Sequence, residues 1–229
     1  QIWGTPPDPR KIIYPWEGAN NLELAWHFYC GGTNSGFMYY GKALDMEVKP
    51  SVSCNEAVYH TDQIIGAAPN DLTAPTIWVP QRYPYNPGSL NYGAIYKYKQ
   101  YNAPIDFWSW TFIYDVSGVA AVTFKYRTDV DGSNPLASNQ NEVYIGGAEV
   151  GAWQSLNMTQ RVFPKDNVFN DPEINFFELP QYIADEYYVH VNVPALKDVL
   201  IDYYIEAVDN KGNVAKSPIQ HCYIGPGSG

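Results

Sequence analysis

Three segments in the second half of the chain alternate between apolar and polar side chains with a period of two. The apolar positions are Val122, Phe124 and Tyr126 in the first segment, Tyr187, Val189, Val191 and Val193 in the second, and Ile201, Tyr203, Ile205 and Ala207 in the third. Successive side chains of a β-strand point to opposite faces of the sheet, so this pattern predicts strands with one buried face. No long helical pattern appears after Pro75, and we therefore expect the strands to pair antiparallel.

Turn-forming residues separate the predicted strands. Combinations of Asp, Asn, Ser and Gly, which favour tight turns, occur at 115–118, 131–132 and 210–213. Several short strands over about 120 residues are typical of a β-sandwich of the immunoglobulin-like type. We predict a mainly β protein, in which residues 75–229 form an Ig-like antiparallel β-sandwich.

The first 70 residues follow a different pattern. Four prolines among the first 15 residues predict an extended start. The two asparagines at 20–21 can each cap a short helix, and the glycines at 31–32 would end it. A second helix is predicted over 53–65, with Ser53 as its cap and a glutamate at the capping-box spacing.

A small, polar, proline-flanked junction at 66–75 has the composition of a linker. We therefore divide the chain into a short helical and irregular segment, residues 1–70, and the sandwich, residues 75–229. Two short helices carry too little apolar surface to form a core of their own. We expect them to pack against something else.

The charge of the chain excludes several classes of partner. Its net charge is −10, and no Lys/Arg cluster is longer than a pair. Nucleic acids and anionic membrane surfaces are bound by basic patches, so neither is expected as a partner. No apolar run approaches 18 residues, so we expect no membrane insertion. The first residues, 1–4, do not have the form of a secretory signal peptide.

The three cysteines, Cys30, Cys54 and Cys222, fit no zinc-binding spacing. Cys30 and Cys54 could pair if the N-terminal segment folds back. The alternative reading treats all three as small, buried apolar residues.

Residues 105–224 carry a family resemblance. The turn Asp-Val-Ser-Gly-Val at 115–119, the strand at 122–127 and the stretch Asp-Tyr-Tyr-Ile-Glu-Ala-Val-Asp-Asn-Lys-Gly-Asn at 202–213 resemble Ig-like modules appended to bacterial and archaeal polysaccharide-active enzymes. The resemblance implies a sandwich fold. It also implies a place beside a polysaccharide-active enzyme, although many such modules act as spacers.

A second resemblance covers about 40 residues around the stretch Gly-Gly-Thr-Asn-Ser-Gly-Phe-Met-Tyr-Tyr-Gly at 31–41. This stretch is similar to the helical region that follows the barrel in glycoside hydrolase family 57 α-glucan enzymes. Gly36 stands where that pattern has Asp, and Phe37 where it has Trp, so the substrate contact of that Asp is not carried over. The resemblance implies that a catalytic barrel lies upstream and that its catalytic residues are absent from this sequence.

Exposed aromatic rings are the candidate carbohydrate-binding residues, because pyranose sugars present flat C–H faces to Trp and Tyr. In the segment 106–114, one strand face would carry Trp108, Trp110, Phe112 and Tyr114, and the other face could be the core. The aromatic face has three possible roles: a sugar platform, a seam against the helices or a barrel, or part of an aromatic core.

The same three roles are open to aromatic residues outside this strand. Residues 75–102 are rich in Tyr and Pro and predict an ordered irregular loop, and Trp153 follows a turn. Together with the strand, these segments give the candidate carbohydrate-binding residues Trp78, Tyr83, Tyr85, Trp108, Trp110 and Trp153.

A loop at 129–142 offers oxygen ligands for a structural Ca²⁺ ion. The candidate ligands are Asp129, Asp131, Asn134 and Glu142. Ca²⁺ binds six to eight oxygens on flexible loops, although the EF-hand spacing is not met. The alternative is a hairpin loop with Asx-turns, without an ion. No other cofactor is expected.

Nothing in the sequence predicts catalysis by this chain alone. Glycoside hydrolysis needs two carboxyl groups about 5–9.5 Å apart across a sugar. Glu17 lies in an aromatic setting that could raise its pKa, or it pairs locally.

We expect an extracellular or cell-surface accessory region of an α-glucan-active hydrolase, which binds starch-like polysaccharide or buttresses the barrel. The alternative is a structural Ig-like surface or filament protein that assembles through aromatic patches without a sugar.

Overall fold

The computed structural model describes residues 6–33, 44–65, 71–90, 102–130, 139–161 and 184–226, with 44–49 described by their backbone alone. The N-terminal part is helical. Helix α1 spans Pro9–Ile13, a 3₁₀ turn covers Pro15–Glu17, α2 spans Asn21–Gly32 and α3 spans Leu44–Ile64. No helix in these ranges is both long enough and apolar enough to cross a membrane.

Helix α2 confirms its prediction. Asn20 caps it by accepting a hydrogen bond from the N–H of Glu23, and the Glu23 carboxylate accepts one from the N–H of Asn20. This reciprocal arrangement satisfies two otherwise unpaired helix N–H groups. The extended start was wrong, because Asp8 caps the short helix α1. The second helix is confirmed over 53–64, but it begins at Leu44, so that Ser53 lies inside it and is not its cap.

Ten strands form two antiparallel sheets in the described part of the chain. The first sheet contains β1 (Thr76–Ile77), β2 (Gln81–Tyr83), β3 (Phe107–Tyr114), β6 (Thr159–Arg161) and β7 (Asp185–Val191). The second contains β4 (Val119–Thr128), β5 (Gln154–Asn157), β8 (Val199–Asp209), β9 (Val214–Lys216) and β10 (Gln220–Ile224). The predicted strands all lie within β4, β7 and β8 or at their ends.

The strand order places β3 and β8 at the centres of the two sheets. In the first sheet, β7 pairs along one edge of β3, while β1 and β2 lie end to end along its other edge. In the second sheet, β4 pairs along one edge of β8, while β9 and β10 share the other. The expectation of an irregular loop over 75–102 was wrong in part, because β1 and β2 lie within it. Residues 91–101 of this segment lie outside the described residues.

Apolar side chains from both sheets meet in one core, which makes the fold a β-sandwich. Phe107 of the first sheet and Phe124 of the second are both buried, with ring centroids 6.4 Å apart. The alternating apolar positions of β4 and β8 point into this core. Cys222 is buried there as predicted, whereas Cys30 and Cys54 are free and exposed, contrary to the expectation that all three are buried.

Helix α3 packs on the outer face of the first sheet, and α2 packs on α3. Val52 of α3 contacts Phe112 of β3 and Ala184 in a second, smaller apolar cluster, and Trp78 and Tyr114 pack against its edge. The Tyr114 hydroxyl donates a hydrogen bond to the Glu56 carboxylate of α3. The expectation that the helices need an external surface is confirmed, and the sandwich supplies it.

Candidate functional site

Strand β3 has the two faces that its sequence predicts. Ser109, Thr111 and the apolar residues at either end, Phe107 and Ile113, are buried on the inner face. The outer face carries the aromatic ladder, which is divided between two of the predicted roles. Phe112 lies beneath α3 in the seam and Tyr114 packs at its edge, while Trp108 remains 44% exposed.

The open half of this face carries a row of rings across three strands. Tyr83 of β2 lies opposite Trp108 of β3, which lies opposite His190 of β7. Residues directly opposite each other in antiparallel strands project from the same face. Tyr83 is 64% exposed, so this row presents large apolar surface beside polar groups.

Trp108 is held in place by its neighbour. The His190 ring stacks on the indole, with centroids 4.5 Å apart and planes within 13°. The Nε2 atom of His190 lies 2.7 Å from an Asp106 carboxylate oxygen. This chain of contacts orients the indole before any ligand arrives and so lowers the entropy cost of binding.

A second row lies beside the first. Gln81, Trp110, Tyr188 and Thr159 are opposite one another on successive strands. Gln81 and Thr159 are exposed, and they add an amide and a hydroxyl group to the surface. Such groups supply the hydrogen bonds that orient a sugar lying on an aromatic ring.

Tyr85 lies in the loop after β2, beside Arg82, whose side chain points to the inner side of the sheet and donates to the Tyr203 hydroxyl at 2.9 Å. It is 66% exposed. The Arg82 guanidinium lies 4.2 Å from the centre of its ring, and Arg82 Nε donates to the Tyr85 carbonyl at 2.6 Å. The loop is therefore fixed by side-chain contacts. We call Tyr83, Trp108 and Trp110, together with their polar neighbours His190 and Asp106, the aromatic surface.

Two further predicted platform residues also lie away from the aromatic surface. Trp78 is half-buried at the seam beneath α3. Trp153 lies just before β5, on the outer side of the second sheet, where the Arg127 guanidinium covers one face of its ring at 4.2 Å. Its Nε1 donates to the Tyr144 carbonyl at 2.8 Å. Trp153 therefore serves as a packing residue in this arrangement.

Arg127 connects Trp153 to a buried polar network. It is 1% exposed and pairs with the fully buried Asp202 at 2.8 Å. Asp202 also accepts from Asn141 and contacts His221 at 2.8 Å. Burial alone would raise the pKa of Asp202, but the hydrogen bonds from His221, Arg127 and Asn141 lower it. The Asp202 bond in turn raises the pKa of His221.

The predicted calcium loop is only partly described. Asp131 and Asn134 lie outside the described residues. Asp129 lies 3.4 Å from the Asn141 amide nitrogen, and Glu142 contacts His221 at 3.0 Å. The described residues of this loop thus have protein partners, and a bound ion there stays a prediction.

Glu17 is paired with Arg10, whose Nε and Nη2 donate to its two oxygens at 2.7 and 2.9 Å. This bond lowers the pKa of Glu17. The expectation that an aromatic setting raises it was wrong, and local pairing is confirmed.

Sequence reasoning missed the polar members of the aromatic surface. His190 occupies a polar position of an alternating strand, and Asp106 directly precedes β3. The available signal was the outward position of His190 on β7. The partner strand that brings it to Trp108 is 82 positions away in register, which no local pattern reveals.

Comparison with known proteins gives one informative similarity. The chain is 34% identical over 251 aligned positions to an alpha-amylase of Niallia circulans. The alignment covers 98% of this chain and 19% of that protein, so the chain spans about a fifth of the relative. No protein-family model matches the chain. A match over so small a part of that protein assigns this chain to no hydrolase family.

Proposed function

We propose that this chain is a non-catalytic accessory region of an extracellular α-glucan-active hydrolase, and that its aromatic surface binds starch-like polysaccharide. In this proposal the sandwich is an Ig-like module. The observation that carries it is the uncovered part of the outer face of β3. Trp108 and the neighbouring Tyr83 of β2 stay exposed there, while α3 covers Phe112.

The chemistry of the surface suits a glucan chain. Exposed indole and phenol rings accept the C–H faces of pyranoses, and the nearby side chains of Gln81, Asp106 and Thr159 can hydrogen-bond to hydroxyl groups. The surface is an open sheet face, which suits a polymer better than a small enclosed ligand. The amylase similarity supports an α-glucan as the polymer.

Affinity electrophoresis tests this proposal. The chain is run in native gels with and without soluble starch or glycogen, and starch is expected to retard it. Trp108→Ala should weaken binding about tenfold, as the loss of one aromatic stacking contact implies. Trp16→Ala is the matched control, because Trp16 is 77% exposed and lies in the N-terminal 3₁₀ turn. Unchanged mobility of the unmodified chain in every glucan would refute the proposal.

A second role is favoured by an apolar groove between α2 and α3. The groove has a volume of about 480 Å³, and its lining includes Trp26, Tyr29, Val58 and Ile65, all strongly exposed. A surface of this kind marks an interaction site. We propose that it docks a catalytic domain of the same polypeptide, as the buttressing role requires. The far greater length of the relative supports such a domain.

The docking role predicts that Val58→Asp in the whole polypeptide lowers the thermal midpoint of the catalytic domain. Tyr83→Asp, on the aromatic surface, is the control and should leave this midpoint unchanged. Light scattering of the chain alone distinguishes docking from the alternative role, a structural protein that assembles with copies of itself. Concentration-dependent assembly that Val58→Asp abolishes would replace docking with self-assembly, as in a structural surface protein.

A further inference from the structure

Three aspartates from three separate segments meet at one end of the sandwich. Asp71 precedes β1 on the segment that leads from the helices, Asp115 follows β3, and Asp209 ends β8. A carboxylate oxygen of each lies within 4.8 Å of one from each of the others. The residues are 8%, 5% and 1% exposed respectively, so three acidic groups are withdrawn from water together.

Each aspartate is anchored through one of its oxygens. In all three cases Oδ1 accepts a hydrogen bond from the backbone N–H two residues further along the chain, at 2.7 to 2.9 Å. Bonds of this kind stabilise the turns that carry the aspartates. They leave the second oxygen of each group for other partners.

The second oxygen of Asp71 has no partner. Asp71 Oδ2 is buried and accepts no hydrogen bond. Among the described residues, Asp115 Oδ2 has one long contact, 3.4 Å from the Asn55 amide nitrogen. Buried polar atoms in folded proteins are almost always satisfied, and an unsatisfied one requires an explanation such as an ion.

No basic side chain compensates the charge in the described part of the chain. The ion pairs found there involve other acidic groups, and none includes any of the three aspartates. Asp209 Oδ2 accepts from the neutral amide of Asn213 at 2.7 Å. Buried charges are normally paired or bound to a metal ion.

We propose that Asp71, Asp115 and Asp209 bind a divalent cation, Ca²⁺. The ligands are oxygens alone, which favours a hard cation and disfavours zinc or copper. They come from three separate turns and include no His or Cys, and such irregular oxygen sets suit Ca²⁺ better than the strict octahedron of Mg²⁺. Water molecules would complete its coordination.

The ion would have a defined structural role. It would tie the β3–β4 turn and the β8–β9 turn to the segment between the helices and the first sheet. One hydrogen bond already makes part of this link, from the Asn213 amide to the Asp71 carbonyl at 3.0 Å. The site is separate from the loop that contains Asp129.

Calorimetric titration of the chelator-treated chain with CaCl₂ tests the proposal, with thermal unfolding as a second measurement. We expect binding at one site and a higher unfolding midpoint with Ca²⁺. Asp71→Asn keeps the shape of the side chain and should weaken Ca²⁺ binding at least tenfold, and Asp115→Asn should act in the same direction. Asp129→Asn is the matched control and should bind Ca²⁺ normally.

Three results would overturn the proposal. The first is the absence of binding and of any midpoint shift at about 5 mM CaCl₂, above the weak affinities of extracellular calcium modules. The second is loss of binding in Asp129→Asn with normal binding in Asp71→Asn. The third is unchanged Ca²⁺ affinity in both Asp71→Asn and Asp115→Asn, because the ion would then bind elsewhere in the chain.

Discussion

Replacing Arg127 with leucine should strongly destabilise the sandwich. The guanidinium is 1% exposed and pairs with a fully buried Asp202. Its Nη2 also donates to the carbonyls of Gln140, Asn141 and Val143, at 2.7 to 3.2 Å. Removing one partner of a buried ion pair leaves an uncompensated charge and costs about 3–5 kcal/mol.

Urea unfolding followed by tryptophan fluorescence measures this cost. With a urea slope of about 3 kcal/mol per molar, the midpoint of Arg127→Leu should fall by about 1–1.7 M. The matched control is Arg161→Leu, because the Arg161 side chain is 64% exposed and pairs with Glu186 at 3.3 Å. An exposed pair contributes about 0.2–1 kcal/mol. Equal effects of the two substitutions would refute the assignment of Arg127 to a buried network.

Three further outcomes are expected. Asp202 raises the pKa of His221, so protonated His221 stabilises the fold below its unfolded pKa of about 6.5. This stability is lost as the pH rises through the higher folded value, and urea midpoints from pH 5 to 9 should show a decline that His221→Gln lacks. Phe112→Ala, at a 7% exposed seam position, should cost about 3–5 kcal/mol in the same unfolding assay; a loss below 1 kcal/mol would contradict the seam. Gly118 and Gly212 both have positive φ, but a Cβ at Gly118 would also lie 2.8 Å from a side-chain nitrogen. Thermal unfolding should therefore show a larger loss for Gly118→Ala than for Gly212→Ala, which should lose about 1 kcal/mol.

Local sequence predicted the strands and their inner faces correctly. The period of two in 122–126 and 201–207 depends only on neighbours along the chain, since adjacent strand residues point to opposite faces. The Asp115–Gly118 turn was also predicted from neighbouring residues. In the structure Gly118 has the positive φ of 85° that favours glycine. The start of α3 was missed because its residues before Ser53 include Pro50 and no clear cap.

What covers the outer faces was decided by tertiary packing alone. Phe112 and Trp108 occupy equivalent outward positions on one strand, yet α3 buries the first and leaves the second 44% exposed. The sequence predicted the row of outward aromatic residues but not which of them are buried and which are exposed, because burial depends on segments distant along the chain. The same holds for Asp71, Asp115 and Asp209, each of which by itself reads as an ordinary turn aspartate. Their shared burial within 4.8 Å exists only after the helices, β3 and β8 have packed together.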